Sequence, residues 1–186
     1  MRFALFILVL GVTLAVDAAL MPALELGGAV PSTTAILVVF VLLLASRDAA
    51  WFAAVAGGAA LDLMAPIPFG GRTIVVVGPW ALGFAFGGQL VLTLRGALVR
   101  RHALTLAVAT FVFLMASTVV WCAIWSLRGW LPESLPPWGG DSVLREFAMR
   151  SRWALWSGAV ALPIGWLLMR TIPAWGFPGV AGRSLR

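Results

Sequence analysis

Long apolar runs alternate along this chain with short clusters of arginine, aspartate, proline and glycine. The first run covers residues 3–21 and stops at Pro22, whose ring cannot continue a helix. Residues 22–32 hold Glu25, Gly27, Gly28 and Pro31 and read as a short loop. A second run, 33–46, is mostly Val, Leu and Ile, with Arg47 and Asp48 marking its end. The third, 49–65, carries Gly57, Gly58 and Asp62 inside it. Pro66 to Gly71 reads as a turn by composition. The fourth run, 72–94, is glycine-rich and interrupted by Pro79; Arg95, Arg100, Arg101 and His102 follow it. The fifth covers 103–127.

Residues 128–140 are rich in Pro, Gly and Trp and form the longest predicted loop. Asp141 is placed to cap a new helix by accepting backbone N–H bonds. The stretch 142–152 is amphipathic: Val143, Leu144 and Phe147 share one face, and Arg145, Glu146 and Arg150 are more polar. It is expected to touch a membrane interface before the sixth run, 153–169. The tail from Arg170 is basic and rich in Pro and Gly. Arg2 precedes the first run as in a signal peptide, but the further runs make it a retained first helix.

Composition turns these runs into membrane spans. The 186 residues are 62% hydrophobic and 11% charged, and mean hydropathy is +1.02. A water-soluble domain carries about 25% charged residues. So little polar material cannot cover a wet surface. The prediction is an all-α integral membrane protein, one domain over 1–186, with about six transmembrane helices at roughly 20 residues each.

The net charge of +6 comes from arginine, since the chain has no lysine. The arginines sit at run ends and form no stripe, so they speak for topology and against a nucleic-acid partner. With a cytoplasmic N-terminus and six spans, Arg2, Arg47, Arg95, Arg100, Arg101, Arg170, Arg183 and Arg186 lie inside. Arg72, Arg128, Arg145, Arg150 and Arg152 lie outside. That bias places both termini in the cytoplasm. Tryptophan fits: Trp51 and Trp175 fall at inner ends, and Trp125, Trp130, Trp138 and Trp153 at outer ends, where aromatic belts sit. Trp80 and Trp166 are deeper and call for a packing explanation.

Candidate chemistry is sparse. Cys122 and His102 are each the only residue of their kind, so no disulfide or metal cluster is expected within one chain. No HExxH, CxxC or P-loop occurs. Asp17 and Asp62 lack the flanking signature of an intramembrane acid pair. No enzyme and no cofactor is expected.

The third helix is the most informative. Ala54, Gly58 and Asp62 are spaced by four and share a face. Ala54 and Gly58 make a small-xxx-small pattern, as do Gly83 and Gly87 on the fourth helix. Such faces let another backbone approach closely, either within the monomer or from a partner's helix. Asp62 within a span calls for a partner. Arg72 lies across the short turn at the same depth, so the expected ion pair is Asp62–Arg72 with Asp17 nearby. The competing reading lets both groups snorkel to the headgroups.

The stretch from Ala56 through Gly57, Gly58, Leu61, Asp62 and Met64, then Pro66 to Gly71, then an apolar helix, resembles the central segment of the MreD family of rod shape-determining membrane proteins. Gly58, Asp62 and Gly70 or Gly71 fall at matching positions, and Met21-Pro22, a Gly-containing loop, Pro31 and a Leu/Val-rich helix resemble that family's opening. The resemblance covers about residues 3–127. It implies a fold similar to the S-components of energy-coupling-factor transporters. It also implies a non-catalytic role as a membrane partner of MreC in the elongation machinery of the bacterial inner membrane, which holds MreB, RodA and a class B penicillin-binding protein. A second reading stays open: a substrate-binding subunit of an energy-coupling-factor-type vitamin transporter. Such a subunit needs an outer cavity with convergent polar groups, and the outer loops offer Glu25, Arg72, Glu133, Asp141 and Arg145.

Overall fold

In the computed structural model the apolar runs form six α-helices: α1 (Phe3–Ala19), α2 (Thr33–Leu44), α3 (Arg47–Met64), α4 (Pro79–Leu94), α5 (Ala103–Arg128) and α6 (Val143–Trp175). The structure describes residues 1–69, 72–98, 102–129, 137–138 and 142–177, with the backbone alone at 67–69 and 72. Two helices, α5 and α6, are long and apolar enough to cross a membrane. α1, α2 and α4 are shorter apolar helices.

α2 is the axis of the bundle. Every residue from Thr33 to Leu43 is buried, and the helix packs against all five others. An α-helix that is apolar on all sides belongs in the middle of a structure. α1 is its opposite. Only Phe6 and Leu10 are buried there, and Phe3, Ile7, Leu8 and Val12 are exposed. Further exposed Leu, Val and Phe side chains ring the bundle on α3, α4, α5 and α6.

Two connections contain short antiparallel pairings. After α1, a 3-10 turn (Met21–Leu24) leads into a bridge between Leu26 and Ala29. Gly27 and Gly28 form its tip at φ +57° and +82°, a region that glycine enters without steric cost. After α3, β1 (Ile67–Phe69) pairs with β2 (Arg72–Ile74), with Phe69 opposite Arg72. Residues 72–74, read from sequence as the start of the fourth helix, are therefore strand, and α4 begins at Pro79. The β-branched run Thr73 to Val77 keeps the chain extended. Proline is then favoured at the first helical position, where no N–H is needed.

At the other end of the bundle the Arg2 amide donates to the Trp175 carbonyl at 3.0 Å. The start of α1 and the end of α6 thus meet. α6 runs unbroken through the amphipathic stretch, the sixth apolar run and Pro163 and Pro173.

Candidate functional site

Asp62 ends α3 and is 3% exposed. Its Oδ2 accepts the amides of Gly78 (2.8 Å) and Ala81 (3.1 Å), and its Oδ1 accepts the amide of Trp80 (3.0 Å). Pro79 has no N–H, so these donors are the remaining amides at the start of α4, where no carbonyl of the same helix is available to them. α4 has no side-chain cap of its own. A helix start presents unpaired N–H groups and partial positive charge, and a carboxylate satisfies both. Asp62 therefore caps α4 from a different helix. The expected partner, Arg72, sits on β2, and its side chain lies outside the described residues.

Asp17 does the same for α2. Its Oδ1 accepts the Thr33 amide and hydroxyl, both at 2.6 Å. Its Oδ2 accepts the Ser32 hydroxyl (3.0 Å) and the Thr34 amide (3.1 Å). The Ser32 hydroxyl in turn accepts the Ala35 amide at 3.2 Å. Ser157 of α6 accepts the Ser32 amide at 3.1 Å. Asp17 and Asp62 thus serve two different helix starts and share none of these partners.

The small residues of α3 and α4 pack inside the monomer. A Cβ on Gly58 would collide with the Trp80 carbonyl oxygen and stand 2.7 Å from Ala81 Cα. On Gly57 it would meet Val38 Cγ2 at 2.5 Å. On Gly83 it would lie 2.8 Å from the Ser117 carbonyl, and on Gly87 2.7 Å from that of Phe113. Ala54 is fully buried and faces Gly88, where an added Cβ would come within 3.1 Å of the Ala54 methyl. Of the two uses open to these faces, close docking of α3 on α4 and of α4 on α5 is what the backbone displays. Gly70 and Gly71 lie outside the described residues. Sequence reading passed over a similar contact on α6, where Gly158 meets the Ala107 carbonyl and Gly165 meets Leu106. Their spacing of seven puts them on one helix face and is the signal that marks it.

Near the Asp62 cap, tryptophans gather around one arginine. The Arg150 guanidinium lies 3.5 Å from the centre of the Trp121 ring and 5.2 Å from that of Trp80. Its Nε donates to Glu146 Oε1 at 2.7 Å. Trp80 stacks on Trp121 at 5.7 Å and meets Trp153 edge-on at 5.3 Å. Trp138 and Trp125 lie 5.8 and 6.1 Å from Trp121. Trp80 thereby gains the packing explanation its depth called for.

The amphipathic start of α6 departs from its sequence reading at two polar positions, while Phe147 packs against the core and Arg145 is exposed. Arg150 and Glu146 face inward, with side chains 23% and 16% exposed, whereas Leu144 is 80% exposed. A planar guanidinium stacks favourably on indole faces, and Glu146, four residues before Arg150, balances its charge. That combination outweighs burial of one leucine.

Two cavities adjoin this cluster. One, about 240 Å³, is lined by Asp62, Pro66, Trp80, Trp121, Trp125 and Arg150 among others. The second, about 260 Å³, lies against Gly28, Val30, Glu146, Met149, Arg150 and Trp153. Arg150 borders both. Among the described residues, no group of three or more His, Cys, Asp or Glu is placed to hold a metal ion. No family model, no curated protein and no solved structure matches this chain.

Proposed function

We propose that this chain is a non-catalytic, multi-pass subunit of the bacterial inner membrane, of the MreD type. In this reading it holds a shaped surface for MreC and, through it, for MreB, RodA and a class B penicillin-binding protein. Both termini face the cytoplasm, and peptidoglycan chemistry belongs to the partners.

The observation that carries this reading is how the internal charged groups are used. Both interior aspartates are committed to backbone amides of helix starts. Arg150 is committed to two indole faces and Glu146. Groups held this way build a rigid frame and have little freedom to turn toward a substrate. The cavities beside them, about 240 and 260 Å³, fall below the roughly 300–1,000 Å³ of ordinary small-molecule sites. This favours a scaffold over the vitamin-binding subunit.

A membrane setting also accounts for the ring of exposed apolar side chains. The twelve residues of α2 span only about 18 Å, short of a bilayer core of about 30 Å. Non-helical backbone at membrane depth is tolerated where protein buries it. Asp17 and Asp62 supply the acceptors that water would otherwise provide there.

Affinity purification of the tagged chain from native membranes, at native expression, tests the proposal. Recovery of MreC with a penicillin-binding protein is the expected result. Recovery of paired ATPases and a coupling subunit overturns it in favour of the transporter reading.

A further inference from the structure

At the end of the bundle opposite the tryptophan cluster, a cleft of about 200 Å³ opens between the start of α3 and the end of α4. It is lined by Arg47, Gln89, Leu92, Thr93 and Arg95. Arg95 is held in place, because its Nη1 donates to the Ala45 carbonyl at 3.0 Å and reaches that of Leu42 at 3.5 Å. Both carbonyls belong to the end of α2, where a cation is favoured. Arg47 is exposed at the mouth. The Gln89 side-chain oxygen is buried and, among the described residues, has no hydrogen-bond partner. The cleft therefore offers positive charge from two elements and one acceptor that needs a donor.

An apolar track runs alongside. Leu82, Phe86, Leu90 and Leu94 are all exposed on α4 and spaced by four, so they form one stripe along the helix. It ends beside Thr93 and Arg95. A positively charged cleft at the end of an exposed apolar stripe matches an amphiphile with an anionic head and an acyl chain.

We propose that this cleft binds the headgroup of an anionic phospholipid, with an acyl chain along the α4 stripe. Basic pockets between membrane helices on the cytoplasmic side take such headgroups. A headgroup bearing both a phosphate and a free hydroxyl, as in phosphatidylglycerol, satisfies the most groups: the phosphate meets Arg47 and Arg95, and the hydroxyl donates to Gln89. The site rests on the membrane reading above and is independent of which proteins the chain joins.

The test uses the full chain purified in neutral detergent. Thermal unfolding is followed while phosphatidylglycerol, phosphatidylcholine or inorganic phosphate is titrated in. Phosphatidylglycerol is expected to stabilise selectively. Arg47→Gln, an exposed position that leaves the Arg95 contacts intact, is expected to weaken its apparent affinity about fivefold, the effect of removing one interfacial arginine. Equal stabilisation by phosphatidylcholine, or an unchanged preference in Arg47→Gln, overturns the site. An equal effect of inorganic phosphate overturns the lipid as its occupant. Recovery of the chain without detergent, in the soluble fraction, overturns the membrane reading itself. Loss of MreC recovery with lipid selectivity intact overturns only the proposed complex.

Discussion

The α1–α2 and α3–α4 connections solve one problem with one device but different reserves. In each, an aspartate two residues before the helix end reaches across a short antiparallel pairing to cap the next helix. Asp17 bonds Thr33, sixteen residues on, and Asp62 bonds Gly78, also sixteen on. The position four before each aspartate differs. On α1 it is Thr13, whose hydroxyl accepts the Thr34 hydroxyl at 3.4 Å and whose carbonyl, 3.1 Å from the Thr33 hydroxyl, is an alternative acceptor to Asp17 for that group's one proton. On α3 it is Gly58, which lets the Trp80–Ala81 backbone close in. The first connection is held by a redundant polar network and the second by one carboxylate and close packing. Redundancy suits the start of a central helix that touches every other. Close packing makes the α3–α4 pair rigid but leaves no substitute for the carboxylate.

Removal of that carboxylate gives the largest expected effect. Asp62→Ala leaves the Gly78, Trp80 and Ala81 amides buried without an acceptor. At about 1–3 kcal/mol for each unsatisfied group, the loss is about 4 kcal/mol. Asp62→Asn retains a single carbonyl acceptor and is expected to recover part of that. Denaturant titration in mixed micelles measures both, and a change under about 1 kcal/mol for the alanine variant would show that the cap is dispensable.

Gly58→Leu attacks the other half of the same connection. The new side chain meets backbone at Trp80 and Ala81, which cannot swing aside as a side-chain tip would. Overpacking of this kind costs about 3 kcal/mol. Wild-type unfolding in the variant would mean that α3 and α4 separate freely in solution. The matching change on α1, Thr13→Val, removes one hydroxyl from a larger network and is expected to cost about 1 kcal/mol.

Asp17→Ala measures the reserve directly. Ser32 still caps α2 through the Ala35 amide, and Asp17 is only half-buried. The expected loss is about 2 kcal/mol, half that of Asp62→Ala in the same titration. Equal losses would remove the distinction between the two connections.

The helices themselves were legible because apolar runs and their breakers are local signals. The partners of Asp62 were less so. Sequence reading looked for a countercharge and chose Arg72, whose side chain lies outside the described residues, since a buried carboxylate demands positive potential. A helix start supplies that potential without a charged side chain, and Gly78-Pro79 was its signature: a glycine followed by a proline at the first helical position. Reading Pro79 as an interruption hid it. The inward turn of Arg150 was illegible for a different reason. Its indole partners, Trp80 and Trp121, come from α4 and α5, so nothing within 142–152 announces them. The glycine faces were visible as close-packing surfaces, but spacing alone cannot tell an internal neighbour from a foreign helix.

An effect as small as that of Thr13→Val separates the α1–α2 network into its local and long-range parts. Ser157 joins it from α6, 125 residues away in sequence, through one bond to the Ser32 amide. Trp156 beside it donates to the Leu24 carbonyl at 2.8 Å. Ser157→Ala removes one acceptor from a buried amide while every bond between Asp17 and α2 remains. A loss of about 1 kcal/mol is expected. Combined with Asp17→Ala, the two losses should exceed their sum, because each variant removes the other's support at the same helix start. Strict additivity in that double-mutant cycle would mean that α6 and α1 hold α2 independently, and the first connection would then be two separate contacts instead of one network.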